Sequence, residues 1–262
     1  MTGFIHPLLQ GSDQLTHGYS IATEHEFGTM RHAASQDPEL VERWQNLLTL
    51  YREALQGTWT FPGNPTDEEG RIAFELKIKL LGLAASTSKF TLDAALFGYY
   101  SASFGMIRHM LECWYWSVHV GYCPKDARAW YSQSIENVSD DQQRVQRDTE
   151  KIIRSVIKRF KKDYPNKSYV VEQTEKVRIA MHKGAHATGH LLTQMESDDE
   201  KLFIFGANYR PKFTIFALSC GIWATLLALS QLNDLRPQGL EWQLTLAEIM
   251  EVHQVVIPGY TD

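Results

Sequence analysis

Residues 94–123 read AALFGYYSASFGMIRHMLECWYWSVHVGYC, and their reading decides the fold. Among Asp, Glu, Lys and Arg the stretch holds only Arg108 and Glu112, four positions apart. That spacing puts both charges on one face of a helix, one turn from each other. In an apolar, aromatic-rich segment they must pair or meet a polar partner from elsewhere, because an unpaired buried charge is costly. The stretch therefore reads as a central helix with one polar spot.

The flanking segments supply its partners. Thr66 and Glu69 form a capping-box pattern that opens a long helix through Ile72, Leu76, Leu80 and Leu83 toward Leu96. Its small, hydroxyl-rich AASTS at 84–88 predicts a kink or a close helix approach, and GYYSAS at 98–103 predicts the turn into an antiparallel central helix. Upstream, Asp37, Pro38 and Gly57 punctuate a helix with an apolar stripe that includes Val41, Trp44, Leu47 and Tyr51. Before that, His17, Glu24, His25, Glu26 and His32 lack a fixed ligand spacing and read as a solvated helix.

Downstream, a short helix is expected over 125–137. A second starts near Ser139 or Asp140, with an acidic first turn and a basic second half, as the helix dipole favours, and Pro165 and Asn166 close it. A helical stretch follows from Ser168 to Met195, interrupted or capped around Lys183, Gly184 and Gly189. LFIF within 201–206 predicts a short strand or an extended connector. An apolar helix at 213–232 and an amphipathic one from about Leu240 to Val256 complete an all-α bundle. Residues 1–62 read as an N-terminal helical extension and 63–262 as the bundle domain.

Composition sets the class. With 44% hydrophobic and 22% charged residues and a net charge of -5 over 262 residues, the chain is globular, with no wholesale nucleic-acid or membrane electrostatics. Three cysteines, Cys113, Cys123 and Cys220, make no disulfide framework and suit reduced thiols in a cytoplasmic protein, and the first residues lack a secretory pattern. Phe213 to Ser230 is long enough for a membrane span at 213–230. A buried central helix is the preferred reading, since the amphipathic helices need a partner for their apolar faces.

Chemistry concentrates in VRIAMHKGAHATGHLL, residues 177–192. His182, His186 and His190 at i, i+4 and i+8 would line one face of an unbroken helix and could bind zinc or iron, with Glu112, His109 or His119 completing the set. The motif carries no carboxylate, so a metal-dependent hydrolase ranks third. A second reading sets Arg108 and Glu112 against His186 or His182. Arginine would hold phosphate charge and histidine would move a proton, with no cofactor required. A buried ion pair that fixes helix register is the structural alternative. Six cations without an acid, Lys151, Arg154, Lys158, Arg159, Lys161 and Lys162, would guide RNA or form a solvated face. Trp114 and Trp116 cannot face one way, so one is expected at an interface or pocket rim.

The Arg-x-x-x-Glu of Arg108 and Glu112 after a small-residue turn, followed by Gly-Ala-His-Ala-Thr around His186, resembles an uncharacterised group of prokaryotic all-helical proteins. It is also loosely similar to the HEPN superfamily of toxin and phage-defence ribonucleases, over roughly Arg71 to Leu232. That resemblance implies a helical bundle acting on or binding RNA in stress or phage defence. The chain departs from the family's Arg-to-His spacing of about four to six intervening residues. Only three residues intervene between Arg178 and His182, and seven between Arg178 and His186. Arg108 would then replace the missing arginine from another helix, or a binding or scaffold role would remain. A symmetric dimer is expected. The rival function is a non-catalytic interaction or small-ligand-binding bundle.

Overall fold

The computed structural model describes residues 13–56, 67–127, 138–185, 209–235 and 238–255. Among these every regular element is helical, and no strand occurs. In chain order they are α1 (Asp13–Gln36), α2 (Pro38–Gln56), α3 (Glu68–Leu96), α4 (Tyr100–Tyr122), α5 (Val138–Asp163), a 3-10 turn at Pro165–Lys167, α6 (Ser168–Ala185), α7 (Pro211–Leu235) and α8 (Leu240–Val252). The extended connector expected at 201–206 lies outside the described residues, as do His186 and His190.

The α3–α4 hairpin is the frame. At Gly98, with φ 80, the chain takes the left-handed conformation that glycine adopts without penalty. Gly98 N donates to the Ala95 carbonyl and Tyr99 N to the Ala94 carbonyl, a Schellman ending that closes the last carbonyls of α3. Residues 94–96 therefore belong to α3, and the central helix starts at Tyr100. At the other end, Asp67 caps α3 by accepting from Gly70 N at 2.6 Å, where the Thr66–Glu69 pattern placed the cap one residue earlier. The 84–88 segment stays helical, with Ser86, Thr87 and Ser88 bonding back to carbonyls at Leu83 and Ala84. Close approach is the outcome there, as Ser88 Oγ meets Thr225 Oγ1 of α7 at 3.3 Å.

Against this hairpin lies α7, which also packs on α2. Every residue from Phe216 to Leu229 is buried. The helix is long and apolar enough to cross a membrane, and 83% of its most apolar window is covered by the rest of the chain. Its polar groups are satisfied within the bundle: Thr225 bonds to the Gly221 carbonyl, Ser219 to the Phe216 carbonyl, Thr214 to Tyr100, and Trp223 Nε1 donates to Thr174 of α6. The α2–α7 contact depends on Gly221, over which the fully buried Trp44 ring lies flush. Trp242 of α8 donates to the Leu50 carbonyl of α2 at 3.0 Å, fixing the last helix onto the second.

Candidate functional site

Arg108 and Glu112 do pair, Nε to Oε1 at 2.8 Å, with side chains 27% and 29% exposed. The pair is half-buried, so solvent and a ligand can reach it. Positions 108, 112 and 115 share one stripe of α4, and the stripe faces α6, because the Tyr115 hydroxyl donates to Glu175 at 3.4 Å. Val170, earlier on α6, borders the same cleft as Val118 and Gly121, later on α4. The two helices therefore run antiparallel. Seven residues back from Tyr115 is Arg108, and seven on from Glu175 is His182. On ideal helices each step covers about 10 Å, so the two positions fall at a similar height along the pair.

The structure shows α6 continuing through Gly184 to Ala185. The described helix ends there, one residue past Gly184, and Gly189 lies outside the described residues. His182 is exposed, and His186 and His190 lie outside the described residues. Arg178, the arginine nearest these histidines in sequence, is committed elsewhere: its guanidinium grips Glu175 at 2.6 and 3.0 Å and Glu150 of α5 at 2.8 Å. The Glu175 carboxylate pushes the Arg178 pKa up, and burial pushes the Tyr115 hydroxyl up as well. This network ties α4, α5 and α6 together and holds their register.

The basic helix divides its cations. Ile153 and Val156 are buried as the spacing predicted, with Ile152, Ile157 and Phe160 partly so. Arg159 lies 4.2 Å over the Tyr122 ring and 4.0 Å from Asp163, and Lys161 pairs with Glu172 at 3.2 Å. Lys151, Arg154, Lys158 and Lys162 are also exposed on this helix.

A cleft of about 390 Å³ opens where α3, α4, α5, α7 and α8 meet the start of α6. Trp114, Tyr122, Phe160 and Tyr164 give it aromatic walls, and Lys77 and Asp234 give it charge. Of the paired tryptophans, Trp114 is thus the one at a pocket wall, while Trp116 packs partly buried against the core. Burial lowers the Lys77 pKa and the charge of Asp234 partly restores it. A Cβ at Gly121 would stand 3.2 Å from Lys77 Nζ, so glycine at 121 leaves room for the ammonium. The sequence does carry the signal: Lys77 interrupts the inward stripe of Ala73, Leu80 and Ala84, where an apolar residue is expected.

No family model, curated protein or solved structure matches the chain.

Proposed function

We propose that this bundle is a HEPN-like protein that binds or cleaves RNA along the α4–α6 seam, in a stress- or phage-defence role. The observation that supports it is the packing of α4 on α6, with the half-buried Arg108–Glu112 pair on one helix and the exposed His182 on the other. In this reading Arg108 takes the phosphate charge, Glu112 holds the guanidinium in place, and His186 moves the proton. The outward cations of α5, Arg154, Lys158 and Lys162, guide the strand toward the seam. Incubation with mixed single-stranded RNA tests the reading. Wild type should cut or retain RNA at low salt, Arg108→Ala and His186→Ala should lose cutting, and Arg154→Ala/Lys158→Ala/Lys162→Ala should weaken retention and flatten its salt dependence. Cutting unchanged in both single variants would reject the seam as the catalytic site.

The Lys77 cleft favours a second reading, a bundle that binds a small amphipathic acid. Its volume suits a drug-sized molecule, its walls suit a flat apolar body, and a desolvated ammonium gains most from a carboxylate. A calorimetric panel of aromatic carboxylates and their amides would test it. The acids should bind better than the amides in wild type and equally in Lys77→Met. Equal binding in wild type would refute it.

A further inference from the structure

The end of α4 carries a cluster that neither reading uses. His119, Cys123 and Asp126 each offer one donor atom, and the three atoms lie within 4.8 Å of one another. His119 Nε2 is 2.9 Å from Asp126 Oδ2. We propose that this cluster binds a borderline-soft divalent transition metal, zinc being the expected ion, through one imidazole, one thiolate and one carboxylate.

Backbone geometry places the donors. His119 and Cys123 are one helical turn apart, and Cys123 N closes that turn onto the His119 carbonyl at 2.9 Å. Asp126 N then donates to the Cys123 carbonyl at 3.0 Å, folding the carboxylate back over the helix end. The Trp116 ring meets the imidazole edge-on, with centroids 5.9 Å apart, and limits its swing. Tetrahedral zinc with ligand bonds of about 2.0 to 2.3 Å needs its donors roughly 3.5 Å apart, so each side chain must move by less than about 1 Å.

Electrostatics agree with a cation. The cluster sits where the last carbonyls of α4 concentrate negative charge. The donor set of thiolate, imidazole and carboxylate selects zinc, cobalt or cadmium over magnesium or calcium. His119 is buried while Cys123 and Asp126 are half-exposed, which leaves a fourth position open to water or to a further ligand. Binding displaces the thiol proton to solvent, so affinity rises with pH.

Cobalt substitution reads the site without any activity assay. Purified protein titrated with Co²⁺ should develop a sulfur-to-cobalt charge-transfer band together with the visible bands of a four-coordinate ion. One equivalent of Zn²⁺ should bleach both. Cys123→Ser should abolish the charge-transfer band while circular dichroism stays native, and Asp126→Asn should weaken binding by about tenfold or more. An imidazole-only site at His182, His186 and His190 would give no sulfur band, so the two clusters are distinguished in one spectrum. Absence of the band in wild type, or its persistence in Cys123→Ser, overturns the proposal.

Discussion

Gly221→Ala places one methyl group into the contact between α7 and α2. Its Cβ would land 2.5 Å from Cζ3 and 2.8 Å from Cζ2 of Trp44, and nearer still to Cη2. Trp44 is 0% exposed and held among buried neighbours, so the ring has nowhere cheap to go. Helix propensity alone predicts that alanine stabilises an interior glycine position by about 0.8 to 1 kcal/mol. Overpacking of a rigid core costs about 1 to 3 kcal/mol, and three ring atoms inside contact distance put this site at the upper end. The net expectation is a loss of about 2 kcal/mol. Urea unfolding followed by far-ultraviolet circular dichroism measures it, and a double-mutant cycle isolates its cause. In a Trp44→Leu background the added methyl has space, so Gly221→Ala should become neutral or stabilising, a coupling of about 2 to 3 kcal/mol. The Trp44 indole N–H has no hydrogen-bond partner among the described residues, so that background loses ring packing without breaking a polar contact seen there. Stabilisation of the otherwise wild-type protein by Gly221→Ala would refute the packing argument, because propensity would then have won.

Three further outcomes are expected. Burial holds the His253 pKa down at about 4, while its Nε2 donates to the Ser219 carbonyl. The unfolded chain binds the proton first, so stability is full above about pH 6.5 and falls by about 1.4 kcal/mol by pH 5.5 and about 3 kcal/mol by pH 4. His253→Gln should flatten that slope, and parallel curves for variant and wild type would reject the assignment. Lys77, with its pKa lowered by burial, costs stability while protonated and less as pH rises toward its unfolded value. Lys77→Met should therefore melt higher at neutral pH, with the gap narrowing in alkali. Arg178→Met deprives the partly buried Glu175 of its partner, while the half-exposed Glu150 stays hydrated, and should cost about 1 to 2 kcal/mol. Hydrogen exchange should then locate the loosening at the α5–α6 contact, and uniform loosening would mean that the network is dispensable.

Local grammar carried most of the fold. Gly98 wrote the hairpin turn, Pro38 opened α2, and the uncharged run after Lys212 announced the helix that the others surround. Where two local patterns competed, the structure decided between neighbours: Asp67 outbid Thr66 as a cap because its carboxylate reaches Gly70 N directly. The site was less legible. Arg108 and Glu112 could be paired from spacing alone, and burial of Tyr115 against Glu175 then supplied the register that sequence lacks. Arg178 drew attention through its closeness to the histidines, but its partners sit on α5 and in its own preceding turn. The Lys77 cleft needs walls from six separate elements, and no linear pattern encodes that meeting. His119, Cys123 and Asp126 are close in sequence, yet their convergence depends on how the chain bends after α4.

The position of α7 in chain order matters during synthesis. Ribosomes deliver α1 through α6 first, at about 5 to 20 residues per second, and domains generally fold as units. Until Phe216–Leu229 emerges, Trp44, Ser88 and Phe104, which meet it at Gly221, Thr225 and Phe216, lack those partners. When the missing rod appears, its uncharged stretch presents the same features that a membrane-insertion machine selects, so prompt wrapping by the earlier helices decides its fate.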